Sequence, residues 1–93
     1  MIKIDDNHIW REGEKIGWIE GHRIYNADDE KVGYYDDAYI YDVSGRKIGY
    51  FEGDYLKSED GNLTVRLEEN REHVTGGSYS DHARAAIRLL LGE

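Results

Sequence analysis

The 93-residue chain contains no cysteine and no proline. Without cysteine there is no disulfide framework and no thiolate metal site. Without proline, no ladder of strands is interrupted by a missing N–H donor. Long hydrophobic runs are also missing. The longest, Ala85 to Leu91, is broken by Arg88 and falls far short of the ~20 residues a membrane-crossing helix needs. The opening Ile2-Lys3-Ile4-Asp5-Asp6 has neither the basic start nor the apolar core of a signal peptide. A soluble cytoplasmic protein without membrane contact is expected. Positive charge is scarce: twelve Lys and Arg face twenty Asp and Glu, a net charge of −8. Direct nucleic-acid binding is disfavoured, because its affinity comes mostly from cations that neutralise phosphates. The acidic excess is expected to keep a tyrosine-rich β surface soluble. The alternative is an acidic inhibitor that mimics nucleic acid in the basic groove of a partner.

What is present is a repeat. Lys15-Ile16-Gly17-Trp18, Lys31-Val32-Gly33-Tyr34 and Lys47-Ile48-Gly49-Tyr50 recur at sixteen-residue intervals, with no insertion or deletion between these runs. Each unit also carries an earlier run: Arg23-Ile24-Tyr25-Asn26, Tyr39-Ile40-Tyr41-Asp42 and Tyr55-Leu56-Lys57-Ser58, with Asn7-His8-Ile9-Trp10 in the first. Turn formers separate the halves at Glu12-Gly13, Asp28-Asp29, Ser44-Gly45 and Asp60-Gly61. Aromatic and β-branched runs closed by such turns predict one β-hairpin per unit. The expected architecture is mainly β: four tandem hairpins in a toroid or barrel over 1–76, followed by one C-terminal α-helix over 78–91, all in a single domain. The units are about 6–21, 22–37, 38–53 and 54–75.

Aligned columns refine this. Ile24, Ile40 and Leu56 share a column with His8. Ile16, Val32 and Ile48 share one with Thr64, and Ile19, Tyr35, Phe51 and Leu67 form another. Large apolar groups on both faces of the second strand predict a closed ring rather than a sheet with one wet face. Gly17, Gly33 and Gly49 are expected to serve packing, with Tyr25 and Tyr41 as aromatic covers. The fourth unit departs, with Val65 for the glycine and Arg66 for the aromatic. Strand 2–4 is expected to close the ring against a long strand from Leu63 to about His73.

After Gly76-Gly77 the character changes. Ser78 and Asp81 predict a capping box, and Gly92 a C′ glycine. Tyr79, Ala83, Ala86, Ile87 and Leu90 form one helical stripe flanked by Leu89 and Leu91, leaving Arg84, Ala85 and Arg88 outward. An arc this wide predicts a second contact, simplest as a homodimer through the helix.

The run Ile40-Tyr41-Asp42-Val43-Ser44-Gly45-Arg46-Lys47-Ile48-Gly49-Tyr50 resembles the hairpin unit of the 4-fold beta flower domain family. The resemblance covers residues 2 to about 75. It implies four hairpins around a pseudo-four-fold axis, and it implies no activity.

Chemistry is sparse. His8, His22, His73 and His82 lack paired ligand spacing, and no phosphate-binding loop or nucleophile elbow is present. No enzyme activity, cofactor or metal is expected. Aromatics are the remaining clue, with eight tyrosines and two tryptophans. The candidate interaction surface is Tyr25, Tyr35, Tyr39, Tyr41 and Tyr55, with Ile87, Leu89 and Leu91 on the helix. The expected role is a non-catalytic protein-interaction module that self-associates through its helix. A small-molecule or glycan binder that uses the repeat aromatics is the alternative.

Overall fold

Each repeat folds as the hairpin its sequence predicts. The computed structural model describes residues 1–92. Its strands are β1 (Ile2–Asp5), β2 (His8–Arg11), β3 (Glu14–Glu20), β4 (Arg23–Asn26), β5 (Lys31–Tyr35), β6 (Tyr39–Asp42), β7 (Lys47–Glu52), β8 (Tyr55–Ser58), β9 (Thr64–Arg66) and β10 (Val74–Thr75). A 3-10 turn (Leu67–Glu69) and a short helix α1 (Asn70–His73) separate β9 from β10, and helix α2 (Asp81–Leu91) ends the chain. The strands form one sheet in the order β10-β1-β2-β3-β4-β5-β6-β7-β8-β9. Every pair is antiparallel except β1 with β10, which is parallel.

The turns explain why the hairpins close. Asn26, Asp42 and Ser58 end successive first strands. The Asn26 side chain accepts from the N–H groups of Asp28 and Glu30. Asp42 accepts from those of Ser44 and Arg46, and the Ser58 hydroxyl from that of Leu63. A left-handed residue completes each loop: Asp29, Gly45 or Gly61. This is loop chemistry written in short polar side chains. The first unit differs. Its turn is the two-residue Glu12-Gly13, both at positive φ. Ile9 consequently pairs with Gly17 eight residues on, whereas Ile24 and Gly33, Ile40 and Gly49, and Leu56 and Val65 are nine apart. Ile9, not His8, therefore fills the column of Ile24, Ile40 and Leu56, and all four are buried.

The first three units also carry a bulge. The register shifts beside Ile9, Ile24 and Ile40, leaving Ile16, Val32 and Ile48 as the extra residues. A bulge bends its strand and sharpens the twist. These three side chains pack against the core, which accounts for the apolar groups on both sides of the second-strand glycines.

The sheet curls around α2. A methyl group on Gly17 would meet Leu91, one on Gly33 would meet Leu90, and one on Gly49 would meet Leu89. Three consecutive helix residues thus face three consecutive hairpins. An α-helix turns by about 100° per residue, close to the about 90° between quarters of a four-fold ring, so each step along the helix reaches the next hairpin. The residue before them, Arg88, reaches Asn70 at 3.2 Å in the fourth unit, where Val65 replaces the glycine. Tyr25 and Tyr41 are therefore not the covers of the glycines. The leucines cover them from inside, and the backbone carbonyls of Tyr25 and Tyr41 crowd Gly17 and Gly33 from the neighbouring strand.

The expected long strand from Leu63 to about His73 does not form. Residues 67–73 are helical, and β1 pairs with the two residues that follow them. Among the described residues β9 and β10 do not pair with each other. The 3-10 turn and α1 lie between them in the chain and pack against α2. Ile2, Ile4, Ile19, Val74, Ala83 and Ile87 share one core with the repeat column.

Candidate functional site

The inner face is spent on α2. Ile87 is fully buried, and Leu89, Leu90 and Leu91 pack against the core. Of the helix face assigned to a partner, Ile87 is therefore enclosed, while Leu89 and Leu91 pack on the core and stay partly exposed. Arg84 and Ala85, expected to face outward, are buried as well. Burial of Arg84 is compensated, because its guanidinium donates to the carbonyls of Val74 (2.7 Å), Gly77 (3.2 Å) and Tyr79 (3.2 Å). A buried charge needs such partners. The helix starts later than expected. Ser80, not Ser78, is the N-cap and accepts from the Ala83 N–H at 3.1 Å. Gly92 ends it in the left-handed conformation, as expected. Arg11 donates to the carbonyls of Leu91 and Gly92, a cation at the negative end of the helix dipole.

The outer face holds the aromatics. Trp18 pairs across the strands with Tyr25, and Tyr34 with Tyr41. Their rings stack at 3.9 Å and 5° and at 4.7 Å and 10°. Such a stack contributes about 0.5–1.5 kcal/mol beyond its buried area. Tyr39 pairs with Tyr50 and meets Tyr41 edge-on at 6.0 Å. Tyr55 pairs with Arg66, whose guanidinium lies 5.4 Å from the ring centre. Lys31 sits 4.6 Å over Tyr34, and Lys47 sits 4.0 Å over Tyr39. These rings are spread over β3 to β8, and of them Tyr55 is the most open, at 38% exposure.

Carboxylates fix the wall. Trp18 donates its indole N–H to Asp29 at 2.8 Å. Tyr41 donates to Asp36 at 3.0 Å. Asp36 is held below the usual carboxylate range chiefly by the N–H groups of Tyr39 and Ala38. Lys57 is raised by its bond to Glu52, at 2.8 Å.

Of the tyrosines expected on this surface, Tyr25, Tyr39, Tyr41 and Tyr55 lie on it. Tyr35 does not: it is buried in the inner column, at 7% exposure, and burial pushes its hydroxyl pKa up. Its ring stacks on His22 at 4.6 Å. The sequence reading missed the cations of the wall. Their signal was the lysine at or near the start of the second strand in the first three units, at 15, 31 and 47. It also missed the cleft of about 480 Å³ beside Arg71, Ser80 and Asp81. There Arg71 is tied to Asp81 by two bonds of 2.8 Å.

The pseudo-four-fold plan, with one hairpin per unit, is matched by a family model described as the 4-fold beta flower protein, over residues 10–83. The chain belongs to the 4-fold beta flower family. No curated protein and no solved structure matches it. The matched span of this beta flower reaches into the start of α2. No helix among its described residues is long and apolar enough to cross a membrane.

Proposed function

We propose that this beta flower is a non-catalytic interaction module of the cytoplasm whose contact surface is the outer aromatic wall. The supporting observation is the set of outer-face rings between Trp18 and Tyr55, two stacked pairs among them, with lysine and arginine lying over three of the rings. Tyr, Trp and Arg dominate binding hot spots because they bury large area at low entropic cost. The simplest occupant is a second copy of the chain, with a two-fold contact between walls. Cations and carboxylates alternate along the wall, so two copies offer each other opposite charges. Self-association through the helix is the second reading, since Leu89, Leu90 and Leu91 pack on the core yet stay partly exposed.

Sedimentation equilibrium on the intact chain tests this reading, with Tyr39→Ser and Tyr55→Ser variants alongside. The reading expects a dimer whose dissociation constant rises about tenfold or more in each variant, the loss typical of a hot-spot side chain. A monomer at all concentrations, or a dimer indifferent to both substitutions, removes self-association through this wall.

A further inference from the structure

Trp10 breaks the pattern of the outer face. The cross-strand positions that hold Trp18 with Tyr25 and Tyr34 with Tyr41 hold Lys3 with Trp10 in the first unit. Trp18 is satisfied twice, by the Tyr25 ring and by the Asp29 carboxylate. Among the described residues Trp10 has neither a ring contact nor an acceptor for its indole N–H, although it is only half-buried. Lys3 likewise makes no ion pair among them. A cleft of about 430 Å³ lies against Trp10, bordered by Lys3, Asp5, Glu12 and Thr75.

We infer that this cleft is a carbohydrate subsite, with a pyranose ring seated on the Trp10 indole. The unit lacks the second ring that closes the stack elsewhere, and the apolar face of a sugar would take its place. The border decides between a sugar and a planar aromatic ligand. An aromatic ring would strip water from Asp5, Glu12 and Lys3 and return no hydrogen bonds, which is costly. Sugar hydroxyls both donate and accept. They donate to the Asp5 carboxylate and to that of Glu12, which otherwise holds the Met1 ammonium at 3.2 Å, and they accept from Lys3. The cleft is open, so a longer glycan continues past the seated ring. This site lies over β1 and β2, outside the wall from Trp18 to Tyr55, and does not depend on protein docking there.

The indole N–H signals of Trp10 and Trp18 report the site by two-dimensional NMR on the intact chain, assigned with Trp18→Phe. The probes are the methyl glycosides of glucose, galactose and mannose, with fluorobenzene as the planar aromatic control. The expected result is a saturable, millimolar shift of the Trp10 signal by at least one glycoside, with Trp18 unmoved. Asp5→Asn and Glu12→Gln, both at exposed positions, leave the fold intact and weaken that glycoside about tenfold each, the loss expected for a bond to a charged acceptor. The inference is overturned by any of three results: no glycoside moves Trp10, fluorobenzene binds more tightly than the best glycoside, or both carboxylate variants bind as the parent does. A dimer broken by Tyr39→Ser would leave this result untouched, so the two proposals fail separately.

Discussion

Gly33 lies where two neighbours converge. A methyl group there would meet the Tyr41 carbonyl oxygen from the next strand and both Leu90 methyls, at 2.6 and 2.8 Å. The carbonyl belongs to the β5–β6 ladder and cannot retreat without breaking it. Gly49 is different: its nearest neighbour is the tip of Leu89 at 2.8 Å, while the Lys57 carbonyl stands off at 3.4 Å. A leucine tip gives way far more cheaply than backbone. Gly33→Ala is therefore expected to cost about 3 kcal/mol and Gly49→Ala about 1 kcal/mol, within the range for overpacking. Alanine is otherwise the better strand residue, so the loss measures the close approach itself. Urea denaturation at unchanged m-value distinguishes the two. Equal costs would mean that the helix, rather than the neighbouring strand, sets the limit at both positions. The repeat signalled a constraint at these glycines, but only the folded chain identifies the leucines that impose it.

At the scale of elements, the turns carry much of the acidity. Asp36, Asp42 and Asp60 accept hydrogen bonds from N–H groups in their own turns, and Asp81 caps Arg71. All four have depressed pKa values. The leading cause is the backbone N–H of Tyr39 for Asp36, the side chains of Ser44 and Ser58 for Asp42 and Asp60, and Arg71 for Asp81. A carboxylate that is more acidic folded than unfolded stabilises the fold fully above its unfolded value. That stability is lost as pH falls through the folded value. The protein is expected to hold its midpoint in urea through neutral pH and to weaken as pH drops through and below the ordinary carboxylate range. An Asp42→Asn variant, whose amide still accepts from Ser44 and Arg46, should show a shallower decline. A decline as steep as the parent's would place the acid sensitivity elsewhere. These turns were legible in the sequence because their chemistry is local. The cap of α2 was misplaced by two residues, because Ser78 and Ser80 read alike until the chain settles which one faces the helix.

For the whole molecule, the helix is the core of the ring. Ile9, Ile24, Ile40 and Leu56 are fully buried together with Ala83, Ala86 and Ile87. A chain ending at Gly76 would expose that column and the glycine faces to water. Losing even one buried leucine or isoleucine side chain costs about 2–5 kcal/mol, and the truncation uncovers several at once. The chain ending at Gly76 is expected to be unfolded or aggregated, seen as lost near-ultraviolet signal from the Trp18–Tyr25 stack. A folded monomer would mean that the hairpins hold one another without the helix.

The repeat, the hairpins, their turns, the glycine column and the C′ role of Gly92 were all determined by sequence alone. Each rests on residues within one unit or one helical turn. The tertiary structure decided which side of the sheet is inside, because both sides of the second strands carry apolar groups and periodicity cannot rank them. It decided that Arg84 and Ala85 are buried, since the carbonyls of Val74, Gly77 and Tyr79 gather around the Arg84 guanidinium. It placed Ile9 ahead of His8, because a two-residue turn shortens only the first hairpin. It also joined β1 to β10 across the 68 residues that separate them, a pairing that no local pattern encodes and that burial of Ile2 and Val74 enforces.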